Sequence, residues 1–289
     1  MEKYLSGDKG ESGDLANCDT QVLIQRHGKS ISNLEYEKIS DHSKFEEVAK
    51  WICDENLRDA RLWKEGYEQW VEARKLVNNI KIHTIFVSPL RRAFETAYFV
   101  YKTHPDFDRI KFIVFPLIRE SLNTSSDIPS DISEILLEFK EKLPNLDCSM
   151  LETYGDKTHF FIDDMQADVK DKIKSKLIHQ EDDPLNSNVF ELFIEESKKV
   201  FPARLESKWN VYDRAWKSKK LIKKYIRDNL IPKDHKVVVL AHFVYFYMHT
   251  GKWSWKCSRE SELSYPSEYI RMKNWEILPD PTDYTSIGI

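Results

Sequence analysis

The stretch Val22-Leu23-Ile24-Gln25-Arg26-His27-Gly28-Lys29-Ser30-Ile31-Ser32-Asn33 carries an apolar run that stops abruptly at Arg26-His27-Gly28 and gives way to polar residues. Three branched apolar residues in a row suit a strand covered on both faces of a sheet. Such a strand delivers His27 to its carboxyl end, and in open α/β sheets ligands sit in the crevice beyond the strand ends. The residue types there suit phosphate. Imidazole is a nucleophile, guanidinium offers a fixed fork of donors, and glycine lets the backbone approach without a Cβ.

Working outward, Gln21–Gln25 is the first strand and Ile82–Val87 the second, the latter running into Ser88-Pro89-Leu90-Arg91-Arg92-Ala93-Phe94-Glu95-Thr96-Ala97. The early proline and the following alanines predict a helix, whose free N–H groups and positive dipole end make a second phosphate site. A third strand, Phe112–Phe115, is followed by Pro116-Leu117-Ile118-Arg119-Glu120. The fourth, Lys236–Ala241, ends at His242. Two strands ending in histidines are what two imidazoles flanking one phosphate require.

Residues from about Ile31 to Asn79 read as helices, with Trp63, Tyr67 and Trp70 on one core-facing stripe. Between about residues 121 and 234 the pattern predicts a mostly helical cap insertion with no further strand. Within it fall Ile132–Lys142, a loop around Pro144, Gly155 and Pro184, and a helical pattern from Val189 to Leu230 divided by Pro202. Trp209 and Trp216 mark the buried face of that last pattern, and Lys217, Lys219, Lys220, Lys223 and Lys224 a solvated one. Ser267–Trp275 reads as an edge strand, and the residues after Pro279 and Pro281 as an irregular tail.

Composition excludes several classes. A formal net charge of -4 at pH 7 gives no general pull toward nucleic acid, so anion binding rests on local arginines. Cys18, Cys53, Cys148 and Cys257 form no Cys-x-x-Cys pair, which favours a reducing, cytoplasmic setting and argues against structural zinc. No apolar run is long enough to span a bilayer. Residues 1–20 read as a flexible, acid-containing tail without the apolar core of a signal peptide, and residues 21–289 as one α/β domain. There are no repeats, no Walker-type phosphate loop and no His-Glu-x-x-His helix.

Arg26-His27-Gly28, with Ser30 and Asn33, resembles the signature of the histidine phosphatase superfamily, the phosphoglycerate-mutase-like proteins. Ser88 to Thr96 resembles its second signature, Ser-x-Leu-x-Arg-Ala-x-x-Thr, whose register puts Arg92 in the phosphate pocket and Arg91 on the helix surface. The resemblance implies a three-layer α/β/α sandwich with a mostly parallel sheet and a helical cap insertion. It implies His27 as nucleophile, Glu120 as the acid with Asp127 as a substitute, His242 as second histidine, and Arg26, Asn33 and Arg92 on phosphate. Lys29 and Phe243 depart from the pattern, which usually has glutamate at the first place and a small residue at the second.

The activity so implied is a metal-independent, cofactor-free phosphatase acting on a small or medium phosphomonoester through a phosphohistidine. The alternatives are a catalytically inactive relative serving as a binding or structural subunit with a protein partner, and a phosphoglycerate mutase.

Overall fold

A computed structural model describes residues 15, 19–64, 67–130, 132–152, 171, 195, 206–251, 270–282, 284 and 287. Most of the tail 1–20, the loops around Gly155 and Pro184, the division at Pro202 and residues 267–269 of the expected edge strand lie outside the described residues.

Six strands form one sheet in the order β4-β3-β2-β5-β1-β6. They are β1 (Val22–Arg26), β2 (Lys81–Val87), β3 (Lys111–Val114), β4 (Leu146–Asp147), β5 (His235–Ala241) and β6 (Ile277–Pro279). All neighbours are parallel except β6, which runs antiparallel to β1. The helices long enough to pack are α1 (Ile31–Glu37), α2 (Phe45–Ile52), α3 (Tyr67–Val77), α4 (Arg91–Tyr101) and α5 (Ile132–Phe139). After the one-turn α6 (Ser149–Glu152) come α7 (Lys208–Asp228) and α8 (Phe243–Thr250).

Side-chain alternation along the strands makes the layers. Leu23, Ile85, Val87, Phe112, Val114, Val238 and Leu240 face a core shared with α3, α4 and α5. Val22, Ile24, Phe86, Ile113, Val237, Val239 and Ala241 face a second core shared with α7 and α8. Covering both faces explains the unbroken apolar runs, since each fully buried Val, Ile, Leu or Phe contributes about 1.5–3 kcal/mol. The fold is the expected α/β/α sandwich on a mostly parallel sheet. Among the described residues no helix is long and apolar enough to cross a membrane.

Several local readings are corrected. Inside the stretch 121–234, β4 pairs with β3, and α7 lies against the sheet. The buried face of α7 is Val211, Arg214, Ala215, Ser218 and Ile222, at three- and four-residue spacing, while Trp216 is exposed. Lys219 and Lys223 are not solvated there: their ammonium groups donate to the carbonyls of His249 and Ile287. Trp63 precedes α3 and stands 5.2 Å from the Lys29 ammonium, so only Trp70 of the proposed stripe is shown buried. The edge strand is Ile277–Pro279 instead of Ser267–Trp275, because residues 270–276 form loop and turn.

Candidate active site

Register brings the two histidines together. Arg26 is paired with Ala241 across adjacent β1 and β5, so the next residues, His27 and His242, leave the sheet side by side. Their ring centroids are 4.8 Å apart. His27 Nδ1 lies 2.6 Å from the Gly28 carbonyl, and because a carbonyl only accepts, Nδ1 carries the hydrogen. Burial, then Arg92 and Arg26, hold this imidazole well below the usual histidine range, so it is neutral and its Nε2 lone pair is free. His242 is fully buried; its Nε2 is 2.6 Å from Ser88 Oγ, and its Nδ1 is buried without a hydrogen-bond partner among the described residues. Burial and the same two arginines depress its pKa as well.

Gly28 has a steric reason different from phosphate approach. A Cβ there would come within 1.8 Å of the Trp275 ring, which is buried and held by its backbone N–H to the His27 carbonyl at 3.3 Å. The second signature ties into the first through Thr96. Its hydroxyl accepts from the Gly28 N–H at 3.0 Å and donates to the Arg92 carbonyl at 2.7 Å. Ser88, the first residue of that signature, orients His242; it was not among the candidate site residues, and its place at the end of β2 beside β5 was the signal that could have found it.

Arg92 is buried, its guanidinium donating to the Ser126 carbonyl at 2.5 Å and to Asp127 at 2.9 Å. Asp127 also accepts from the N–H groups of Asn123 and Thr124 and from the Thr124 hydroxyl, so it is anchored in the turn that braces Arg92. Arg91 is no surface arginine: it is clamped by Glu138 and lies 3.8 Å from Asp59. Nor is the start of α4 an open phosphate site. The Asp59 carboxylate accepts from the Arg91 N–H at 2.8 Å and takes the position an anion would use.

Glu120 is buried against the start of α8. One carboxylate oxygen accepts from the N–H groups of Ser121 (2.8 Å) and Tyr245 (3.2 Å), the other from Val244 (3.2 Å). Burial, then the neighbouring Asp127, push its pKa up against these bonds and Arg92. Arg26 donates to the Met272 carbonyl at 2.9 Å, and burial lowers its pKa to about 10, so it stays cationic at pH 7.

A cavity of about 410 Å³ opens over these groups. Arg26, His27, Asn33, Arg92, Glu120 and Asp127 line it, and Tyr36, Trp51, Ile52 and Phe243 supply apolar wall. His242 does not line it; it stands behind, against His27. Asn33 also closes a capping box with Ser30 at the start of α1, which fixes its position. Lys29 pairs with Glu37 away from the cavity, so this departure adds no charge to the lining. Phe243 does line it, with the Arg26 guanidinium 5.2 Å from its ring.

Residues 22–122 match the family model of the histidine phosphatase superfamily (branch 1), the family whose two signatures this sequence resembles. No curated protein matches the chain. Solved structures similar to it include an ecdysone phosphate phosphatase from Bombix mori (14% identity, 89% of this chain and 86% of that one, TM-score 0.45). Also similar are a mycobacterial glucosyl-3-phosphoglycerate phosphatase (15%, 80% and 77%, 0.38) and a phosphoglycerate mutase from Bacillus anthracis (14%, 80% and 79%, 0.40).

Proposed function

We propose that the chain is a phosphatase that cleaves a phosphomonoester through a phosphohistidine at His27. The observation that carries this reading is the His27 tautomer: Nδ1–H bound to the Gly28 carbonyl, Nε2 unprotonated, and two arginines lining the same cavity. Nε2 attacks phosphorus, the bond to the leaving oxygen breaks, and Glu120 gives that oxygen its proton. Water then attacks phosphorus and passes a proton to Glu120; the N–P bond breaks and frees neutral His27. Arg26 and Arg92 neutralise charge on the equatorial oxygens, which is the main work a protein does in phosphoryl transfer. Phosphate charge also offsets the burial that keeps His242 neutral and draws a proton onto it. Asn33 supplies a further contact, and no step calls for a metal or cofactor.

Arg26 and Arg92 are the only lysine or arginine side chains among the described lining residues. A non-catalytic binding role is the second reading, favoured by Phe243 in the lining beside Arg26. The test is hydrolysis of an aryl phosphate with chelator present, in wild type and His27→Ala. Turnover lost in a folded variant supports the phosphatase; no turnover in either, with both folded, supports the binding role.

A further inference from the structure

Behind Glu120 lies an ionic cluster that the route above does not use. Arg119, Glu206 and Arg214 are 1%, 0% and 2% exposed; Glu206 and Arg214 stand eight residues apart at the start of α7, and Arg119 comes 87 residues before Glu206. Arg119 and Arg214 both fork onto Glu206, at 2.9 and 3.1 Å from the first and 2.8 and 3.2 Å from the second. Burial alone would raise the Glu206 pKa, but the two guanidiniums overcome it and hold it down to about 2.

Stability is a poor reason for such a cluster, since well-packed apolar residues often replace buried ion pairs without loss. Its remaining hydrogen bonds point elsewhere. Arg214 donates to the carbonyls of Leu117 (2.9 Å), Arg119 (2.7 Å) and Glu120 (3.0 Å), Arg119 donates to the Glu120 carbonyl (2.9 Å), and Glu206 accepts from the Leu122 N–H (3.0 Å). The backbone is therefore gripped before, at and after Glu120. That segment lies past the last regular turn, Pro116–Ile118, and has no strand or helix ladder of its own to fix it. The carboxyl end of the same side chain is held from α8.

Resting on the phosphatase reading, we propose that Arg119, Glu206 and Arg214 are positioning residues for general-acid catalysis: a clamp made by Arg214 of α7, Glu206 two residues before that helix, and Arg119 beside Glu120, which fixes the backbone of Glu120 so that its proton meets the leaving oxygen. Misplacement by an ångström costs orders of magnitude in rate where geometry is this demanding. The loss falls on leaving groups that need the proton.

The experiment measures kcat/KM over a series of aryl phosphates running from nitrophenyl to unsubstituted phenyl. It compares wild type with Glu206→Gln, with Arg214→Lys, and with the triple variant Arg119→Met, Glu206→Leu, Arg214→Met, folding being checked by circular dichroism. The triple variant leaves no buried charge unpaired and so keeps the test open where a single variant fails to fold. We expect about a tenfold or greater loss on phenyl phosphate relative to the nitrophenyl ester, a steeper dependence on leaving-group pKa, and no rescue by Arg214→Lys. An equal fractional loss across the series, or none, in the folded triple variant overturns the clamp while the phosphatase stands. No turnover by wild type on any ester overturns both.

Discussion

At the residue scale the proposed phosphatase route is decided by which groups are neutral. His27 must be unprotonated to attack, and its burial beside two arginines keeps it so far below the usual histidine range. Glu120 must be protonated to release the leaving group. Burial raises its pKa, Asp127 raises it further, and Arg92 and the N–H bonds of Ser121 and Val244 oppose. The signs then set the pH dependence of kcat/KM. No acid limb from His27 is expected between about pH 5 and 6.5, where an ordinary histidine would titrate. Activity falls as pH rises through the elevated Glu120 pKa, and Glu120→Gln removes that limb along with most of the rate. A rising limb centred near the ordinary histidine value would show that His27 titrates normally and is not held as described. Gly28 makes a related point. The triplet was readable as phosphate-binding from its chemistry, but the reason glycine is needed is a tryptophan almost 250 residues away, which no local pattern contains.

At the element scale the two strands ending in histidines were legible because buried parallel strands leave long apolar runs, and register then does the rest. The amino-terminal ends of helices were not. The start of α4 has no side-chain cap of its own, and its anion is Asp59, held at a positive φ of 45° in a loop more than thirty residues earlier. Asp59 also accepts from the Ser130 N–H at 2.9 Å, so it joins α4 to the segment that enters α5. Replacing it with alanine strips a cap and leaves the buried Arg91 N–H and the half-buried Ser130 N–H without this partner. We expect a loss of about 2–3 kcal/mol in urea unfolding, with the mutant still folded at 25 °C. A change below about 0.5 kcal/mol would mean that this carboxylate does not hold the helix. Short strands were equally hidden. Leu146–Asp147 is two residues long, and Ile277–Pro279 includes a proline, so neither carries a usable period.

Across the whole molecule the layered sandwich was implied by the family that the two signatures resemble, while the ionic interior was not. Sequence reasoning placed Arg26, His27, Asn33, Arg92 and Glu120, and one cavity touches all five. It missed Ser88 as a site residue, and it missed Glu206 with Arg119 and Arg214, because neither the 87-residue separation from Arg119 nor the eight-residue one to Arg214 follows a helix or strand spacing rule. These groups leave a signature in acid stability. Glu206 and Asp280 are each held down to about 2 in the fold, whereas an unfolded carboxylate titrates near about 4. Their stabilisation is present above the unfolded pKa and is lost as pH falls through the folded one. Glu95, Glu120 and Asp127 are raised by burial and act oppositely, so between about pH 4 and 7 they make the fold more stable as pH falls. Against them His27, His83, His242 and His249 are depressed by burial, so the unfolded chain takes up their protons as pH falls below about 6.5 and the fold loses stability there. The urea midpoint should therefore be highest near neutrality, decline below about pH 6.5 and collapse below about pH 4. A midpoint that rises as pH falls from 7 to 5 would contradict this balance.

The central claim is that phosphorus is transiently bonded to His27. The most direct measurement is to react the wild-type chain with an aryl phosphate at several times, quench into alkali where phosphoramidates survive, and map the phosphorylated peptide by mass spectrometry. The account predicts one phosphate per chain at most, carried on His27 and absent from His27→Ala. Steady turnover with no phosphate on His27 at any time, or with phosphate on another residue, would contradict it.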